Sequence, residues 1–522
     1  MPIVRQRPSR APAFVPLVEE LEQRMFLSAV TLVQTITDLQ TPTRVRRPEA
    51  VASKLHQPVA RPIAVTALPL SSGSAGPTGY TPAQIRHAYG IDQVMFGTIV
   101  GDGTGQTIAI IDAFHNPHAA ADLHAFDLAF GLADPPSLRI VAQDGSTNYP
   151  PTDPGATQGG GLNSWELEAS LDLQWAHAIA PGASLILVEA NDASFTNLVQ
   201  NAVAWAKSQV GVTAISMSFG ATEFAGESTL DSLFTTPAAH SGITFLASTG
   251  DSGAPGGYAA FSPNVVAVGG TSLNLAGSAY VGESAWSGSG GGPSIYESLP
   301  SYQAALPYTG RATPDVSMDA DPLTGVAVYD SWDFGSDTPW VTIGGTSLAC
   351  PMWAGILSIV DQGRAQAGLG TLDGATQTLP MLYALPDADF HDVTTGSNGL
   401  YSATTGYDLV TGRGSPVANL LIPDLVGVGS ISGIVYVDHN ADAVDGPGDS
   451  PLAGATVYID SNNNGILDGA HTATCTSTNV PLPIPDNSPA GVLSTLNISG
   501  MGTAITDLNI NFTINHTFDR DL

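Results

Sequence analysis

The chain is poor in cysteine and lacks long apolar runs. Among its 522 residues there are only two cysteines, Cys350 and Cys475, which form neither a disulfide framework nor a metal-knuckle pattern. No run reaches the length of about 18 apolar residues that a membrane-spanning helix needs. A disulfide scaffold, a zinc knuckle and a transmembrane protein are therefore excluded.

Basic residues are also scarce, with 16 lysines and arginines against 47 acidic residues and a formal net charge of −31. Nine of the 16 basic residues lie between Arg5 and Arg61, so the rest of the chain is more acidic still. Such a surface repels phosphate backbones and anionic membranes. We therefore expect no nucleic-acid partner.

Residues 1–79 are interpreted as an export segment followed by a linker or a short propeptide remnant. Residues 30–79 are rich in Thr, Pro, Ser and Arg and show no sustained periodicity. The segment Leu21–Ala29 resembles the Leu-Glu-x-Arg stretch at the start of many exported bacterial surface proteins. The resemblance implies a bacterial extracellular location, secreted or at the cell surface, and a disordered basic tail is the alternative.

From Tyr80 to residue 425, β-branched runs alternate with amphipathic helices, which is typical of one α/β domain with a parallel sheet covered on both faces. The helices are predicted over Ser164–Ile179 and Phe195–Gln209. The buried strands are predicted over Thr107–Asp112, Ser184–Glu189, Val212–Ser218, Ile243–Ser248, Val265–Val268 and Trp340–Ile343.

Past Gly427 the composition shifts to Gly, Asp, Asn and Thr, which favours small all-β modules. Residues 430–478 are similar to the B module of serine-aspartate repeat surface proteins. Residues 479–522 resemble the start of the P domain that follows the catalytic domain of proprotein convertases, although a P domain is usually about three times as long. The sequence therefore predicts two further modules behind the α/β domain.

A nucleophile is predicted at Ser347, inside the run Gly344–Pro351 that follows a strand and opens an apolar helix. A helix N-terminus favours developing negative charge, and glycines let a substrate backbone approach closely. A plain turn with a helix cap is the alternative. A serine hydroxyl also needs a base, and none of the eleven histidines stands in the His-Gly-Thr-His pattern of subtilisins.

Carboxylates offer the base instead. Glu168 and Asp172 are four residues apart on one predicted helix, hence on the same face. In isolation such a pair is more often a solvated one. Asp251 follows the predicted strand Ile243–Ser248, at a position where subtilisins bind the oxyanion with an amide side chain. A protonated aspartic acid donates the same hydrogen bond, although a turn residue explains Asp251 equally well.

The order Glu-x-x-x-Asp, Gly-Asp-Ser-Gly and Gly-Thr-Ser-x-x-x-Pro resembles the sedolisin, or serine-carboxyl peptidase, family over roughly Tyr80–Asp424. The resemblance implies a subtilisin-like fold and an acid-active serine-type endopeptidase acting on proteins or peptides, and we expect a monomer. It assigns the nucleophile to Ser347, the general base to Glu168, its orienting partner to Asp172 and the oxyanion donor to Asp251. Substrate would pair as an added strand along Ser216, Ser218 and Gly220.

The same family resemblance implies a calcium cofactor. Its ligands would be the carboxylates of Asp392 and Asp408 and the main-chain carbonyls of Val393, Thr404 and Gly406, an all-oxygen shell. Thr404 stands where the family usually has glycine. A possible second metal loop has oxygen donors at alternate positions: Asp460, Asn462, Asn464 and Asp468.

Two other hypotheses stay open at this point. One is a catalytically inactive calcium-binding surface protein, suggested by the C-terminal β modules. The other is a subtilase that uses Asp112 and a cryptic histidine such as His177.

Overall fold

The computed structural model describes residues 61–62, 73–155 and 164–427, and four short strands beyond residue 430. Contacts within the chain divide it into two units. One unit runs from Leu55 to Val428, and the other combines Met1–Lys54 with Gly429–Leu522. Along the described residues, no helix is both long and apolar enough to cross a lipid bilayer.

The elements of the first unit are numbered along the chain. Its strands are β1 (Arg61–Pro62), β2 (Met95–Phe96), β3 (Ile99–Val100), β4 (Thr107–Ala113), β5 (Leu138–Ala142), β6 (Ser184–Ala190), β7 (Val212–Met217), β8 (Phe219–Gly220), β9 (Thr244–Ser248), β10 (Val265–Ala276), β11 (Ala279–Ala285), β12 (Gly292–Ser298), β13 (Gly310–Thr313), β14 (Val316–Asp319), β15 (Val326–Tyr329), β16 (Trp340–Ile343), β17 (Phe390–His391) and β18 (Ser415–Pro416).

The helices of the same unit are α1 (Pro82–Ala88), α2 (Ala119–Phe130), α3 (Trp165–Ile179), α4 (a wide turn Thr196–Val203 continued by Ala204–Ala206), α5 (Ser331–Phe334), α6 (Thr346–Gln366), α7 (Leu379–Ala384) and α8 (Ala418–Val426). Single helical turns lie at Ile91–Gln93, Glu227–Thr229, Asp231–Leu233, Ser301–Gln303, Gly374–Thr378 and Asp387–Asp389.

In the second unit the described residues form two antiparallel pairs. Strand β19 (Tyr436–Val437) pairs with β20 (Ser450–Pro451), and β21 (Ala455–Tyr458) pairs with β22 (Asn509–Phe512). The rest of the predicted modules at 430–478 and 479–522 lies outside the described residues, so both modules stay predictions.

The core of the first unit is an eight-stranded sheet in the order β11-β10-β9-β7-β4-β6-β5, with β14 also on β10. All its neighbouring strands run parallel except β10 and β11. Successive residues of β4 belong to different apolar cores, Ile108 and Ile110 to one, Ala109 and Ile111 to the other. Both faces of the sheet are therefore covered, and the predicted α/β, subtilisin-like class is confirmed.

One strand prediction was wrong in its placement. Trp340–Ile343 is a strand, but it pairs antiparallel with β15 in a separate two-stranded sheet rather than joining the parallel sheet. An apolar, β-branched run predicts a buried strand but does not predict which strand it pairs with, which explains the error. The strands predicted from the sequence also omit β5, β11 and β14, which complete the main sheet.

Two long helices carry the site. Helix α3 begins after Ser164, whose hydroxyl accepts from the Leu167 amide at 2.9 Å, and α6 packs beside it. The contact is close at Gly355, where an added Cβ would lie 2.7 Å from Ile179. The contact joins the last residue of α3 to the middle of α6, and nearer the start of each helix the Ser218 hydroxyl lies 2.9 Å from Asp172 of α3 and 3.3 Å from the Ser347 carbonyl of α6.

Candidate active site

Ser347 is the second residue of α6 and is fully buried, and its hydroxyl lies close enough to Glu168 to lower the pKa of that carboxyl, although among the described residues it makes no hydrogen bond of ordinary geometry. Four residues later, Pro351 lacks the N–H that would normally bond to the Ser347 carbonyl. That carbonyl accepts instead from the hydroxyl of Ser218, at 3.3 Å. Because Pro351 leaves the Ser347 carbonyl without its usual donor, Ser218 can link the first turn of α6 to the end of strand β7.

Glu168 and Asp172 are both fully buried on α3. Burial first, then the charge of Asp112, raises the pKa of Glu168 well above its usual range, and the Ser347 hydroxyl lowers it. Asp172 accepts from the Ser218 hydroxyl at 2.9 Å. The structure therefore brings Ser347, Glu168 and Asp172 together, with Ser218 touching both helices.

Asp112, at the carboxyl end of β4, is a member of this group that sequence reasoning missed. Neither of its carboxyl oxygens has a hydrogen-bond partner, and it is fully buried. Burial and then the charge of Glu189 raise its pKa to about 8, while Asp112 in turn raises the pKa values of Glu168 and Asp172. Asp112 could have been found from its position at the end of the first buried strand. The sequence analysis considered it only as part of the subtilase hypothesis with a histidine base.

Asp251 lies after β9, facing the start of α6. Its Oδ1 accepts from the Thr346 amide at 2.7 Å and the Thr346 hydroxyl at 2.9 Å, and its buried Oδ2 has no partner. Gly345, with φ +109°, leaves room for this carboxyl, because an added Cβ would lie 2.5 Å from Oδ2. Burial raises the pKa of Asp251 to about 7, so a proton stays on the group in mild acid.

The predicted substrate residues do not share one free edge: Ser216 lies on β7, which pairs with Ile110 of β4 on one side and Leu246 of β9 on the other, so the prediction for Ser216 was wrong, whereas Gly220 lies on β8 outside the main sheet. Ser216 and Ser218 are buried, with the Ser216 hydroxyl 3.4 Å from the Cys350 thiol. Gly220 and Phe219 already pair antiparallel with Arg61 and Pro62 of β1. The edge of β8, which was predicted to receive substrate, thus pairs with β1 of the same chain. Strand β1 lies in the region interpreted from the sequence as a linker or short propeptide remnant.

The histidine hypothesis finds no geometric support. His177 is fully buried on α3, nine residues after Glu168 and so about 13 Å along the helix. Its Nε2 lies 2.9 Å from the Ala133 carbonyl and 3.4 Å from a carboxyl oxygen of Asp127. These contacts direct the ring away from Ser347.

The predicted calcium ligands meet in one loop region. The Gly406 amide donates to both carboxyl oxygens of Asp392 at 3.1 Å, and the Thr404 amide donates to Asp408 at 3.0 Å. In the described ranges, the carbonyls of Val393, Thr404 and Gly406 accept no hydrogen bond. Both oxygens of Asp408 also accept from groups of Val410 or Thr411, so the unengaged oxygens are the three carbonyls, which together with the two carboxylates give the oxygen donors that calcium prefers.

Among residues 73–155 and 164–427, no three His, Cys, Asp or Glu side chains are placed to hold a metal ion together. The predicted calcium loop has only two such side chains, Asp392 and Asp408, and its other oxygens belong to the main chain. The second predicted metal loop, with Asp460, Asn462, Asn464 and Asp468, lies outside the described residues.

The fold and this acid-lined serine define a serine-type peptidase of the subtilisin-like class. Residues 157–377 match the model of the Subtilase family. The chain is 32% identical over 418 residues to kumamolisin of Bacillus sp. (strain MN-32), covering 72% of this chain and 70% of that protein. It is also 32% identical over 349 residues to sedolisin of Pseudomonas sp. (strain 101), covering 59% and 56%.

A solved structure agrees: Pseudomonas sedolisin, a serine-carboxyl proteinase in complex with two molecules of pseudo-iodotyrostatin, matches with a TM-score of 0.55 at 30% identity. The match covers 68% of this chain and 99% of that chain. The chain belongs to the sedolisin family of serine-carboxyl peptidases. The family predicted from the motifs is confirmed, and the chain is a peptide-bond hydrolase of the serine type.

Proposed function

We propose that this peptidase is a secreted endopeptidase that cuts proteins and peptides in acid, with Ser347, Glu168, Asp172 and Asp251 as its catalytic groups. One observation carries the proposal. The buried Ser347 hydroxyl lies beside the buried carboxyl of Glu168 and lowers its pKa, and none of the ion pairs in the described ranges neutralises the carboxyls of the site. Such a site works only when protons occupy part of it.

In the first step, Ser347 Oγ attacks the carbonyl carbon of the scissile peptide while its proton passes to Glu168. Asp172 stabilises the proton on Glu168, and Asp112 adds a third acid to the group. The carbonyl electron pair moves onto oxygen, where the proton on Asp251 Oδ2 stabilises it. The intermediate then collapses as Glu168 gives the proton to the leaving amine, which breaks the C–N bond.

The second step reverses these roles with water. Glu168 accepts a proton from a water molecule that attacks the acyl carbon, and Asp251 again stabilises the oxyanion. Collapse breaks the ester bond, releases the acid product and returns the proton from Glu168 to Ser347. The carboxyls share protons as one coupled system, so activity requires one ionised acceptor and a protonated Asp251.

The pH dependence follows from these groups. The pKa of Asp251 is raised to about 7, so it is neutral below that value and loses its donor proton above it. Activity is therefore expected in acid and falls as the pH rises through about 7. On the acid side, activity falls when the last negative charge shared by Asp112, Glu168 and Asp172 is protonated, and because burial raises the pKa of all three carboxyls, this fall comes at a higher pH than for ordinary carboxyls.

Substrate is proposed to bind as an antiparallel strand along β8, from Gly220 toward Ser218, because Ser216 is already paired on both sides within the main sheet. The pairing of Gly220 with Arg61 supports this mode, because it gives an example of a peptide backbone on the same edge. The antiparallel direction runs from Arg61 opposite Gly220 to Pro62 opposite Phe219, and so toward Ser218 beside the nucleophile. Backbone pairing of this kind binds many sequences with little side-chain selection.

Calcium is proposed at the Asp392 and Asp408 loop, as a structural ion. It would hold two loop segments together, and the chemistry at Ser347 needs no contact with it. Export is supported by the Leu21–Ala29 segment.

Cleavage of a peptide across the acidic and neutral pH range tests the proposal in four proteins. Wild type and His177→Gln are expected to cleave in acid, whereas Ser347→Ala and Glu168→Gln lose at least about 10³-fold in rate. Dependence on His177 with an intact Glu168→Gln enzyme would support the subtilase hypothesis. Absence of cleavage by all four folded proteins would support the inactive binding protein.

A further inference from the structure

Four carboxyl groups gather where the chain leaves the substrate strand. Glu223, Glu227 and Asp231 follow Gly220 in sequence, and Glu297 reaches the same place from β12. Glu227 is 0% exposed and Glu297 is 6% exposed. We name Glu223, Glu227, Asp231 and Glu297 the carboxyl cluster.

The first half of the carboxyl cluster joins the loop to β12. The Ser294 hydroxyl donates to Oε1 of Glu223, and the Ile295 amide lies 3.3 Å from both of its carboxyl oxygens. Glu227 accepts from the Phe224 amide at 2.7 Å through Oε2. Its Oε1 is buried and receives no N–H or hydroxyl donor, which leaves the neighbouring carboxyl of Glu223 as its partner.

The second half is built in the same way. The Tyr258 hydroxyl donates to Asp231 at 3.0 Å, and Ser262 also bonds to Asp231. Oε1 of Glu297 is buried without an N–H or hydroxyl donor, and the Glu297 carboxyl shares a hydrogen bond with Asp231. Each half is therefore a carboxyl-carboxylate pair, which needs one proton to hold together.

Nothing cationic balances these groups among the described residues. The ion pairs of the described ranges include none of the four carboxyls. Lys207, on α4, donates to the Leu233 carbonyl at 2.7 Å rather than to a carboxylate. The other titratable groups that face the cluster are the phenols of Tyr258 and Tyr302, which add no positive charge. Four negative charges in this place would repel one another strongly.

Protonation therefore decides whether the contacts exist. Burial first, then neighbouring carboxyls, raise the pKa of Glu227 to about 9 and that of Glu297 to about 7. In an unfolded chain both groups titrate near their ordinary values, about 4. The cluster's contribution to stability is thus complete in acid and is lost as the pH rises through about 7 and then about 9.

The cluster is connected to the proposed substrate strand through Tyr258 and Ala221. Ala221 follows Gly220 and forms two backbone hydrogen bonds with Tyr258, at 2.8 and 2.9 Å. Tyr258 is the residue whose hydroxyl binds Asp231. Movement of the cluster would therefore displace the end of the strand that receives substrate.

We propose that the carboxyl cluster is a proton-dependent latch, a set of positioning residues that fixes the far end of the substrate strand in acid and releases it when the cluster ionises. This rests on the proposed binding of substrate along β8, from Gly220 toward Ser218. The latch makes substrate affinity, and not only the chemical step, depend on pH.

The test compares three proteins: the unchanged chain, the single variant Glu297→Gln, and a double variant that carries both Glu227→Gln and Glu297→Gln. A glutamine keeps a donor where the protonated carboxyl had one and cannot ionise. Asp361→Asn is the matched control, because Asp361 is a buried carboxyl with a pKa of about 8 on α6, outside the cluster. Thermal unfolding is measured in the Ser347→Ala background from mild acid to mild alkali, and KM and kcat in active enzymes.

We expect KM of the unchanged chain to rise several-fold from about pH 5 to about pH 7 and to stay nearly constant in the glutamine variants. Their Tm should also decline less with rising pH than that of the unchanged chain, whereas Asp361→Asn keeps the steep KM rise. Identical pH profiles of KM and Tm in all proteins would overturn the latch. If no protein cleaves peptide, the proposed function fails while the Tm comparison still decides whether the cluster senses pH.

Discussion

Replacing Asp251 separates its two proposed properties, donation to the oxyanion and titration near neutrality. In Asp251→Asn, the side-chain oxygen still accepts from the amide and hydroxyl of Thr346, which lie 2.7 and 2.9 Å from Oδ1. The amide nitrogen takes the place of the protonated Oδ2 and donates at every pH. Asp251→Ala removes the donor and leaves the Thr346 groups without their acceptor.

Loss of one oxyanion donor costs about 3 kcal/mol, or 10²- to 10³-fold in kcat. We therefore expect Asp251→Ala to lose that much at the pH of highest activity, and Asp251→Asn to stay within about tenfold of wild type. The alkaline fall in kcat near pH 7 should move upward in Asp251→Asn, since the pKa of about 7 belongs to the replaced carboxyl. Steady-state cleavage of one peptide over a pH series measures kcat for wild type, Asp251→Ala and Asp251→Asn. An unchanged alkaline fall in Asp251→Asn, or full activity of Asp251→Ala, would refute the reasoning.

Three further predictions concern the surroundings of the site. Gly345→Ala should lower kcat at least about 100-fold, because its Cβ would lie 2.5 Å from Asp251 Oδ2, whereas Gly277→Ala, with φ +70° and open space around it, should not. In a thermal melt, calcium should raise the Tm of wild type and leave the Tm of Asp392→Asn unchanged. An equal rise of Tm in both proteins would exclude this loop as the calcium site. A synthetic peptide of residues 57–66 should raise KM without changing kcat, and inhibition that leaves KM unchanged would argue against its pairing with the substrate strand.

Much of the catalytic group could be predicted because its members sit in local patterns. A spacing of four residues places Glu168 and Asp172 on one face of a helix, and a glycine pair before an apolar helix places Ser347 at its N-terminus. Asp251 follows a buried strand, where parallel sheets bring functional groups together. Helix and strand periodicity therefore predicts where these residues lie, and the resemblance to the sedolisin family implies their roles.

Long-range pairing could not be predicted in the same way. Asp112 joins Glu168 and Asp172 only because β4 lies in the middle of the sheet, between β6 and β7, and strand order is not written in β4 itself. The pairing of Arg61 with Gly220 joins residues far apart in the chain, and no periodic pattern of apolar residues around Arg61 predicts a strand there. The misplaced strand Trp340–Ile343 has the same origin, since its composition fits a buried strand in either sheet.

The role of Ser347 with Glu168 as its base is tested most directly by trapping the acyl-enzyme. A peptide ester is mixed with the enzyme in acid, the reaction is quenched, and the modified residue and its rate of formation are determined by mass spectrometry. The account predicts an acyl group on Ser347 that forms at least about 10³-fold more slowly in Glu168→Gln, while His177→Gln is acylated at the wild-type rate. Acylation of another residue, or an undiminished rate in Glu168→Gln, would contradict it.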